Sequence, residues 1–237
     1  MSESFPRRLA RFIRQPHVPH SIAMRWKPIS RRLRYGFGNI NTTRFWDDTW
    51  RQELEQGRER AHNYVRLHAA MREAINPDDL LLDAGCGSGV FIKSLDGALT
   101  TRPCACDFSA VAVEHVAPWC SEARVVELPH LPVDWLGRFD VVVCGEVLEH
   151  VADAPAVAES LVRALRPGGR LIASVPHRPS GKDDHPEHVR GFSAASFREL
   201  IAAVGVAGDP RVIREDTNHE FILLIGRRGV EAPTTGS

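Results

Sequence analysis

The sequence lacks any apolar run of about 18 residues, the length that a membrane-spanning helix needs. Its first residues, MSESFPRRLARFIRQP, lack the apolar core of a secretory signal peptide. The five cysteines form no Cys-x-x-Cys pair, and three of them lie in apolar, strand-like runs. Small buried cysteines of this kind are typical of a reducing compartment. We therefore expect a cytoplasmic protein without disulfides.

The chain as a whole also lacks an excess of charge of one sign. Its 30 Lys and Arg balance 30 Asp and Glu, so we expect no nucleic-acid partner. Residues 1–40 are an exception, because they hold nine basic residues against Glu3 alone. We expect 1–44 to form a partly ordered basic arm, whose residues 1–40 contact a membrane surface or an anionic substrate.

Apolar runs and helical stretches alternate from residue 77 onward, which is typical of strand–helix–strand units and a parallel sheet. Strands are expected at 80–84, 103–107, 124–128, 139–145 and 170–175, and helices near 90–95, 110–119, 154–165 and 194–204. The last two strands, 211–216 and 219–227, lie too close in sequence for a parallel crossover. The sequence therefore predicts an α/β protein whose mostly parallel sheet ends in an antiparallel hairpin.

Residues 45–76 precede this pattern and have the spacing of a helical cap that Gly57 divides. Its aromatic residues Trp46, Trp50 and Tyr64 form an apolar face too large to leave in water. We expect the cap to lie over one end of the sheet. Residues 229–237 are expected to be a disordered tail.

A glycine-rich turn follows the first strand in the stretch LLLDAGCGSGVF, residues 80–91. A P-loop would need Gly-Lys-Ser/Thr, and no lysine follows Gly89. The dinucleotide motif Gly-x-Gly-x-x-Gly fits Gly85 and Gly87 but requires glycine where the chain has Val90. The turn therefore favours neither a triphosphate nor a dinucleotide.

Two acidic residues accompany this turn. Asp83 ends the first strand, where a carboxylate suits an ammonium group. Asp107, in CACDFS, follows the second strand and can accept hydrogen bonds from both hydroxyls of a ribose. Phe108 offers a face on which adenine can stack. Glycines with these carboxylates favour a sulfonium nucleoside, S-adenosylmethionine.

At this point the chain resembles a known family, the class I S-adenosylmethionine-dependent methyltransferases, over roughly residues 45–227. The resemblance is carried by LLLDAGCGSG, CACDFS, RFDVVVCGEVLEHV, LVRALRPGGRLIASVP and FSAASFRELIAAVG, in this order. It implies a Rossmann-like, doubly wound, mostly parallel seven-stranded sheet that ends in an antiparallel hairpin, with an N-terminal helical extension. Residues 77–228 would then be the S-adenosylmethionine-binding domain.

The resemblance also implies a set of cofactor-binding residues. They are Asp83, Gly85, Cys86, Gly87, Asp107, Phe108, Glu127, Leu128 and Cys144. Glu127 and Leu128, at the end of the third strand, would lie by the adenine, although the family more often has aspartate where this chain has Glu127. Cys144 would offer its backbone to the methionine end.

Candidate acid–base residues follow the fourth and fifth strands. GEVLEHV (145–151) carries Glu146, Glu149 and His150, and the polar loop 175–192 carries His177, His185 and His188. In one interpretation His150 or His188, with Glu149, removes the proton from a hydroxyl acceptor. The stretch EVLEHV resembles one found in small-molecule O-methyltransferases, including those that act on ubiquinone precursors.

A second interpretation is a divalent metal site. Glu146 would share a helix face with Glu149 and His150 if that turn is helical, and His185 would complete the set. Small-RNA 3′-terminal 2′-O-methyltransferases use a Glu-x-x-Glu-His set with a later histidine in this way. In a third interpretation the carboxylates merely serve a helix N-terminus. Between the two functional interpretations the base is favoured, so we expect no metal.

The sequence therefore predicts an enzyme that transfers a methyl group from S-adenosylmethionine to a small-molecule acceptor, with a hydroxyl favoured and S-adenosylhomocysteine as product. The alternatives are a metal-dependent RNA 3′-terminal 2′-O-methyltransferase and a non-catalytic, methyltransferase-like binding module. The balanced net charge disfavours the first, and Asp83 and Asp107 argue against the second. The excess of arginine over only three lysines suggests a bacterial genome rich in GC.

Overall fold

The computed structural model describes residues 39–57, 64–183, 185–217 and 219–229. Most of the basic arm expected at 1–44 therefore lies outside the described residues, as does nearly all of the tail expected at 229–237.

Eight strands of the described chain form one sheet. In chain order they are β1 (Leu81–Ala84), β2 (Cys104–Asp107), β3 (Glu122–Val125), β4 (Phe139–Gly145), β5 (Leu165–Pro176), β6 (Val206–Ala207), β7 (Arg211–Arg214) and β8 (Glu220–Arg228). Their order across the sheet is β3-β2-β1-β4-β5-β8-β6, and β7 also pairs with β8. The strands β1 to β5 are parallel neighbours, while β8 runs antiparallel to β5. This confirms the predicted Rossmann-like α/β sheet with an antiparallel end.

The strands differ from the expected ones mainly in three places, one of which is the start of β5 at Leu165 rather than at residue 170. The edge next to β8 is divided between β6 and β7, so the sheet has eight strands in the described residues where seven were expected. The third strand lies at Glu122–Val125 rather than at 124–128. It pairs residue for residue with β2, and its last residue, Val125, stands opposite Asp107, where β2 ends.

Six α-helices accompany the sheet in the described residues. They are α1 (Thr43–Glu55), α2 (Val65–Arg72), α3 (Val90–Ser94), α4 (Ala110–Val116), α5 (Ala154–Ala164) and α6 (Ala194–Ala203). Side chains of Thr42, Ser109, Asp153 and Ser193 cap four of them by accepting a backbone hydrogen bond in the first turn. Each such cap typically stabilises a helix by about 1 kcal/mol. None of the helices described here is long and apolar enough to cross a membrane.

The helix α2 is part of the hydrophobic core. Its residues Leu67 and Met71 are almost fully buried and pack in one cluster with Leu81 of β1 and Val143 of β4. Burial of an aliphatic side chain contributes about 1.5–3 kcal/mol. The second half of the N-terminal extension therefore belongs to the body of the domain.

Candidate active site

The glycine turn between β1 and α3 lies directly against the end of β2. The Gly85 amide donates to the carbonyl of Cys106 at 2.8 Å, and the Gly87 amide donates to the Asp107 carboxylate at 3.0 Å. Gly85 has a φ of +86°, and a Cβ atom there would lie 2.4 Å from Cγ2 of Val147. Only glycine fits this backbone position.

The two acidic residues at the ends of β1 and β2 are buried. Burial, followed by the nearby Asp107 carboxylate, raises the pKa of Asp83 to about 7. Burial also raises the pKa of Asp107 to about 6, although hydrogen bonds from the amides of Ser109 and Gly87 lower it. Neither carboxylate forms an ion pair with a basic side chain of the described residues. This end of the sheet is therefore a favourable place for a positively charged ligand.

A cavity of about 170 Å³ opens at the carboxyl ends of β1 and β4. Its lining includes six of the candidate site residues predicted from the sequence, namely Asp83, Gly85, Cys86, Gly87, Glu146 and His150, together with Trp46, Trp50 and Tyr64 of the helical cap. Parallel sheets of this kind bind ligands at this edge. The structure therefore brings the glycine turn and part of the EVLEHV stretch together around one space.

Five predicted cofactor residues do not line this cavity, namely Asp107, Phe108, Glu127, Leu128 and Cys144. Cys144 is fully buried in the main core. Glu127 is exposed and follows β3 by two residues, because that strand ends earlier than expected. Asp107 accepts a hydrogen bond from the Gly87 amide and so supports the glycine turn, and its role toward a ribose stays a prediction.

The helix α1 covers the part of the site next to Asp107. Asp47 accepts a hydrogen bond of 2.5 Å from the hydroxyl of Ser109, the residue that caps α4. The Trp50 ring lies so close to Gly87 that a Cβ atom there would be 2.9 Å from Cζ2 of the indole. The Trp50 Nε1 atom is buried and has no hydrogen-bond partner among the described residues. The sequence pattern predicted that Trp46 and Trp50 lie on a helix, but it did not indicate which surface of the domain they cover.

Two glutamates follow β4, and Glu146 lines the cavity whereas Glu149 does not. Glu146 has a φ of +57° and accepts a hydrogen bond of 3.0 Å from the hydroxyl of Ser174, a cavity residue that sequence reasoning missed. Burial raises the pKa of Glu146 to about 8. Burial, and then the charge of Glu146, raise the pKa of Glu149 well above its usual value. The Oε2 atom of Glu149 is buried without a hydrogen-bond partner in the described chain.

Two histidines face Glu149 from different loops. His150 Nδ1 lies 3.0 Å from the carbonyl oxygen of Glu187, and His188 Nδ1 lies 2.6 Å from Oδ2 of Asp183. A carbonyl and an ionised carboxylate only accept, so each neutral histidine carries its proton on Nδ1. The lone pair is then on Nε2, and His150 Nε2 lies 3.7 Å from Oε1 of Glu149. The two imidazole centroids are 4.9 Å apart.

These three residues could hold a divalent metal ion. Glu149, His150 and His188 each offer a ligand atom, and the three atoms lie within 4.8 Å of one another. Metal-binding histidines usually donate their second ring N–H to a carbonyl or carboxylate, as both histidines do here, so the residues fit such an ion. Glu146, expected in the metal set, is not in this group, and neither is His185. His185 is half-exposed and its Nδ1 lies 2.6 Å from Oε2 of Glu187.

The third loop histidine, His177, lies outside this cluster. Its Nδ1 is 3.1 Å from Oε2 of Glu220 at the start of β8.

The chain matches a known family. A model described as "Methyltransferase domain" matches residues 56–207. A ubiquinone biosynthesis O-methyltransferase of Xanthomonas oryzae pv. oryzae is 32% identical over 164 residues, which cover 67% of this chain and 62% of that protein. A probable S-adenosylmethionine-dependent methyltransferase of Mycolicibacterium smegmatis is 33% identical over 132 residues, 53% of this chain and 51% of that protein. The chain thus spans about 62% of the length of the O-methyltransferase relatives.

Solved structures agree on the fold. A chain from the complex between the Haloferax volcanii Trm112 methyltransferase activator and a methyltransferase superposes with a TM-score of 0.68 at 19% identity, covering 81% of this chain and 99% of that one. The Burkholderia thailandensis 1,6-didemethyltoxoflavin-N1-methyltransferase, solved with 1,6-didemethyltoxoflavin and S-adenosylhomocysteine, gives 0.61 at 18% identity over 77% and 87% of the two chains. The chain belongs to the class I S-adenosylmethionine-dependent methyltransferase family.

Proposed function

We propose that this protein transfers the methyl group of S-adenosylmethionine to a hydroxyl of a small-molecule acceptor. The observation that carries the proposal is the single cavity that joins Asp83 and Gly85 to Glu146 and His150. A methyl donor beside Asp83 and Gly85, the donor side, would face the acid–base groups Glu146 and His150, the acceptor side. The name of the Xanthomonas relative, an O-methyltransferase, supports a hydroxyl as the acceptor.

The donor side has residues suited to this cofactor. S-adenosylmethionine, when bound, supplies a methyl group on a positively charged sulfur atom. The Asp83 carboxylate would bind the ammonium group, directly or through water. Gly87 would let the ligand approach the backbone closely once the Trp50 indole moves away from it. The buried Trp50 N–H, which lacks a partner in the described residues, is a donor available to a ligand oxygen or nitrogen.

The acceptor side must take up a proton. The acceptor oxygen gains the methyl group, the electron pair of the broken bond remains on sulfur, and the hydroxyl proton has to leave. His150 lines the cavity and holds its ring proton on Nδ1, so its Nε2 can receive that proton. A positioned base of this kind typically accelerates a reaction by about 10²–10⁴-fold. Glu149 and His188 would hold the proton or orient the imidazole.

The cluster of Glu149, His150 and His188 supports a second form of the same activity. A divalent cation held by these residues would lower the pKa of a hydroxyl bound to it. In that case the histidines would act as ligands rather than as bases. A chelator separates the two forms.

Methyl transfer can be tested with the full-length chain and S-adenosylmethionine labelled in the methyl group. We expect label to enter a small-molecule fraction of a cell extract as a methyl ether, and a variant with Asp83→Asn to be strongly impaired. Label in RNA or protein, or no transfer in spite of cofactor binding, would contradict the proposal. Transfer that persists in excess EDTA excludes the metal form and leaves His150 as a base or a structural residue, whereas loss that Mn²⁺ reverses supports the metal form.

The affinity for S-adenosylmethionine should depend on pH through Asp83. This residue has a pKa of about 7, so it is protonated at lower pH and must release the proton to pair with an ammonium group. As the pH falls from about 7 to about 5, we expect the Kd to rise by up to about tenfold for each pH unit. Calorimetric titrations at several pH values measure this slope. Asp83→Asn should bind more weakly with a flatter profile, and an equally steep profile in that variant would exclude Asp83 as its source.

A further inference from the structure

Asp183 lies in the polar loop between β5 and α6, and its position in the sequence does not distinguish it from its neighbours. Its side chain is only 1% exposed. Oδ2 lies 2.6 Å from Nδ1 of His188 and 2.9 Å from Nε of Arg178, while Oδ1 accepts the amide of His185 at 3.0 Å. Three donors therefore converge on one buried carboxylate.

This arrangement determines what His188 can present to the active site. The guanidinium of Arg178 and the His185 amide can only donate, so Asp183 acts as an acceptor for every one of these neighbours. Its bond to Nδ1 places the proton of neutral His188 on that atom. The opposite nitrogen, Nε2, then carries the lone pair. His188, Glu149 and His150 each offer a ligand atom within 4.8 Å of the others, and Nε2 is the atom of His188 that its bond to Asp183 leaves available for this.

We propose that Asp183 is a positioning residue that holds His188 in the Nδ1–H tautomer with its Nε2 lone pair directed at Glu149 and His150. The effect on turnover rests on the proposed function, but the tautomer does not. A base and a metal ligand both need the lone pair on Nε2, so the role of Asp183 is the same in either form of the reaction.

A second Asp–His pair in the chain gives a matched control. In the β7–β8 hairpin, His219 Nδ1 lies 2.9 Å from Oδ2 of Asp216. Both side chains of that pair are about half exposed, and neither lines the cavity. Water competes for their hydrogen bonds, whereas the Asp183–His188 pair is shielded. Substituting each aspartate with asparagine therefore separates a positioning effect from the loss of any Asp–His contact.

The tautomer is measured directly by NMR on the full-length chain labelled with ¹⁵N-histidine. Long-range ¹H–¹⁵N correlations distinguish Nδ1–H from Nε2–H. For the wild type at a pH where His188 is neutral, we expect Nδ1–H. In Asp183→Asn the new amide can donate to Nδ1, so the spectrum should shift toward Nε2–H. Asp183→Glu should retain Nδ1–H, and Asp216→Asn should leave the His188 signals unchanged.

Turnover provides the second readout. We expect Asp183→Asn to lower kcat by about 10–100-fold, the usual effect of removing such a partner, with the Kd for S-adenosylmethionine unchanged. Asp183→Glu should recover part of the rate, and Asp216→Asn should keep the wild-type rate. Nε2–H in the wild type, or an Asp183→Asn variant with unaltered tautomer or unaltered kcat, overturns the inference. If a variant fails to fold, the wild-type spectrum still tests which nitrogen of His188 carries the proton. Absence of any methyl transfer would reject the proposed function but would leave the tautomer test valid.

Discussion

Replacing His150 with alanine is expected to lower kcat by about 10²–10⁴-fold, because the acceptor hydroxyl then loses the group that removes or orients its proton. The Kd for S-adenosylmethionine should change little, since the donor side is formed by the glycine turn and Asp83. Single-turnover measurements with labelled cofactor separate the two quantities.

His130 offers a matched control for this substitution. It is an exposed histidine in the segment after β3 and does not line the cavity. His130→Ala should keep the wild-type rate. A His150→Ala variant that folds normally and turns over as fast as the wild type would show that His150 is only structural.

Deleting residues 1–57 is expected to reduce kcat by about 100-fold, while cofactor binding persists at an affinity lowered by the loss of the Trp50 N–H. The deletion removes α1, which orients the acceptor side of the site. The Trp46 ring lies 5.0 Å from the His150 ring, centroid to centroid, in an edge-to-face arrangement. Misplacing a catalytic group by about 1 Å can by itself cost about 10²-fold. Loss of α1 would also admit water to the transfer.

Asn41 explains why the deletion should lower kcat in particular. Its side-chain amide donates to the carbonyl oxygens of His150 and Glu187 at 3.0 and 2.7 Å, and its Oδ1 accepts from the Trp46 indole at 3.1 Å. The Glu187 carbonyl is the same atom that accepts from His150 Nδ1. Asn41 therefore links α1 to the orientation of the imidazole.

A shorter deletion is the control for the loss of α1. Removing residues 1–38 leaves Asn41 and α1 in place, so cofactor affinity should be kept and only the acceptor KM should rise with the loss of the basic residues. A longer deletion, to residue 75, is less informative because Leu67 and Met71 belong to the core. Wild-type kcat after deletion of 1–57 would show that α1 does not contribute to catalysis.

The donor side could be predicted from the sequence because its determinants are local. The glycines follow a buried strand directly, and the backbone that Gly85 must adopt leaves no room for a side chain beside Val147. Asp83 and Asp107 end adjacent parallel strands, so the topology alone places them at one edge. These elements depend on strand order and spacing, which the sequence pattern shows.

The acceptor side could be predicted only in part, because it depends on contacts between distant loops. His185 and His188 lie in one loop, and their spacing does not indicate which of them turns inward. The structure shows that Asp183 binds His188 while Glu187 pairs with His185. The location of α1 likewise depends on distant contacts. Asp47 binds Ser109, 62 residues away, and Asn41 binds the carbonyl of Glu187, 146 residues away. No periodicity within a single segment carries such information.

The predicted adenine contacts at Glu127 and Leu128 show a third kind of limit. The apolar run that suggested a strand at 124–128 continues past the point where β3 loses its pairing with β2. A strand is defined by its partner as well as by its own residues. The role of Glu127 therefore stays a prediction, with the residue exposed and outside the cavity.

A crystal structure with S-adenosylhomocysteine tests the central claim most directly. We expect the amino-acid end of the ligand beside Asp83, the ribose hydroxyls on the Asp107 carboxylate, and the sulfur atom directed toward Glu146 and His150 across the cavity. Because Trp50 lies on Gly87, the indole should move to admit the adenosine. A ligand bound elsewhere, or one whose sulfur points away from His150, would contradict the proposed methyl transfer.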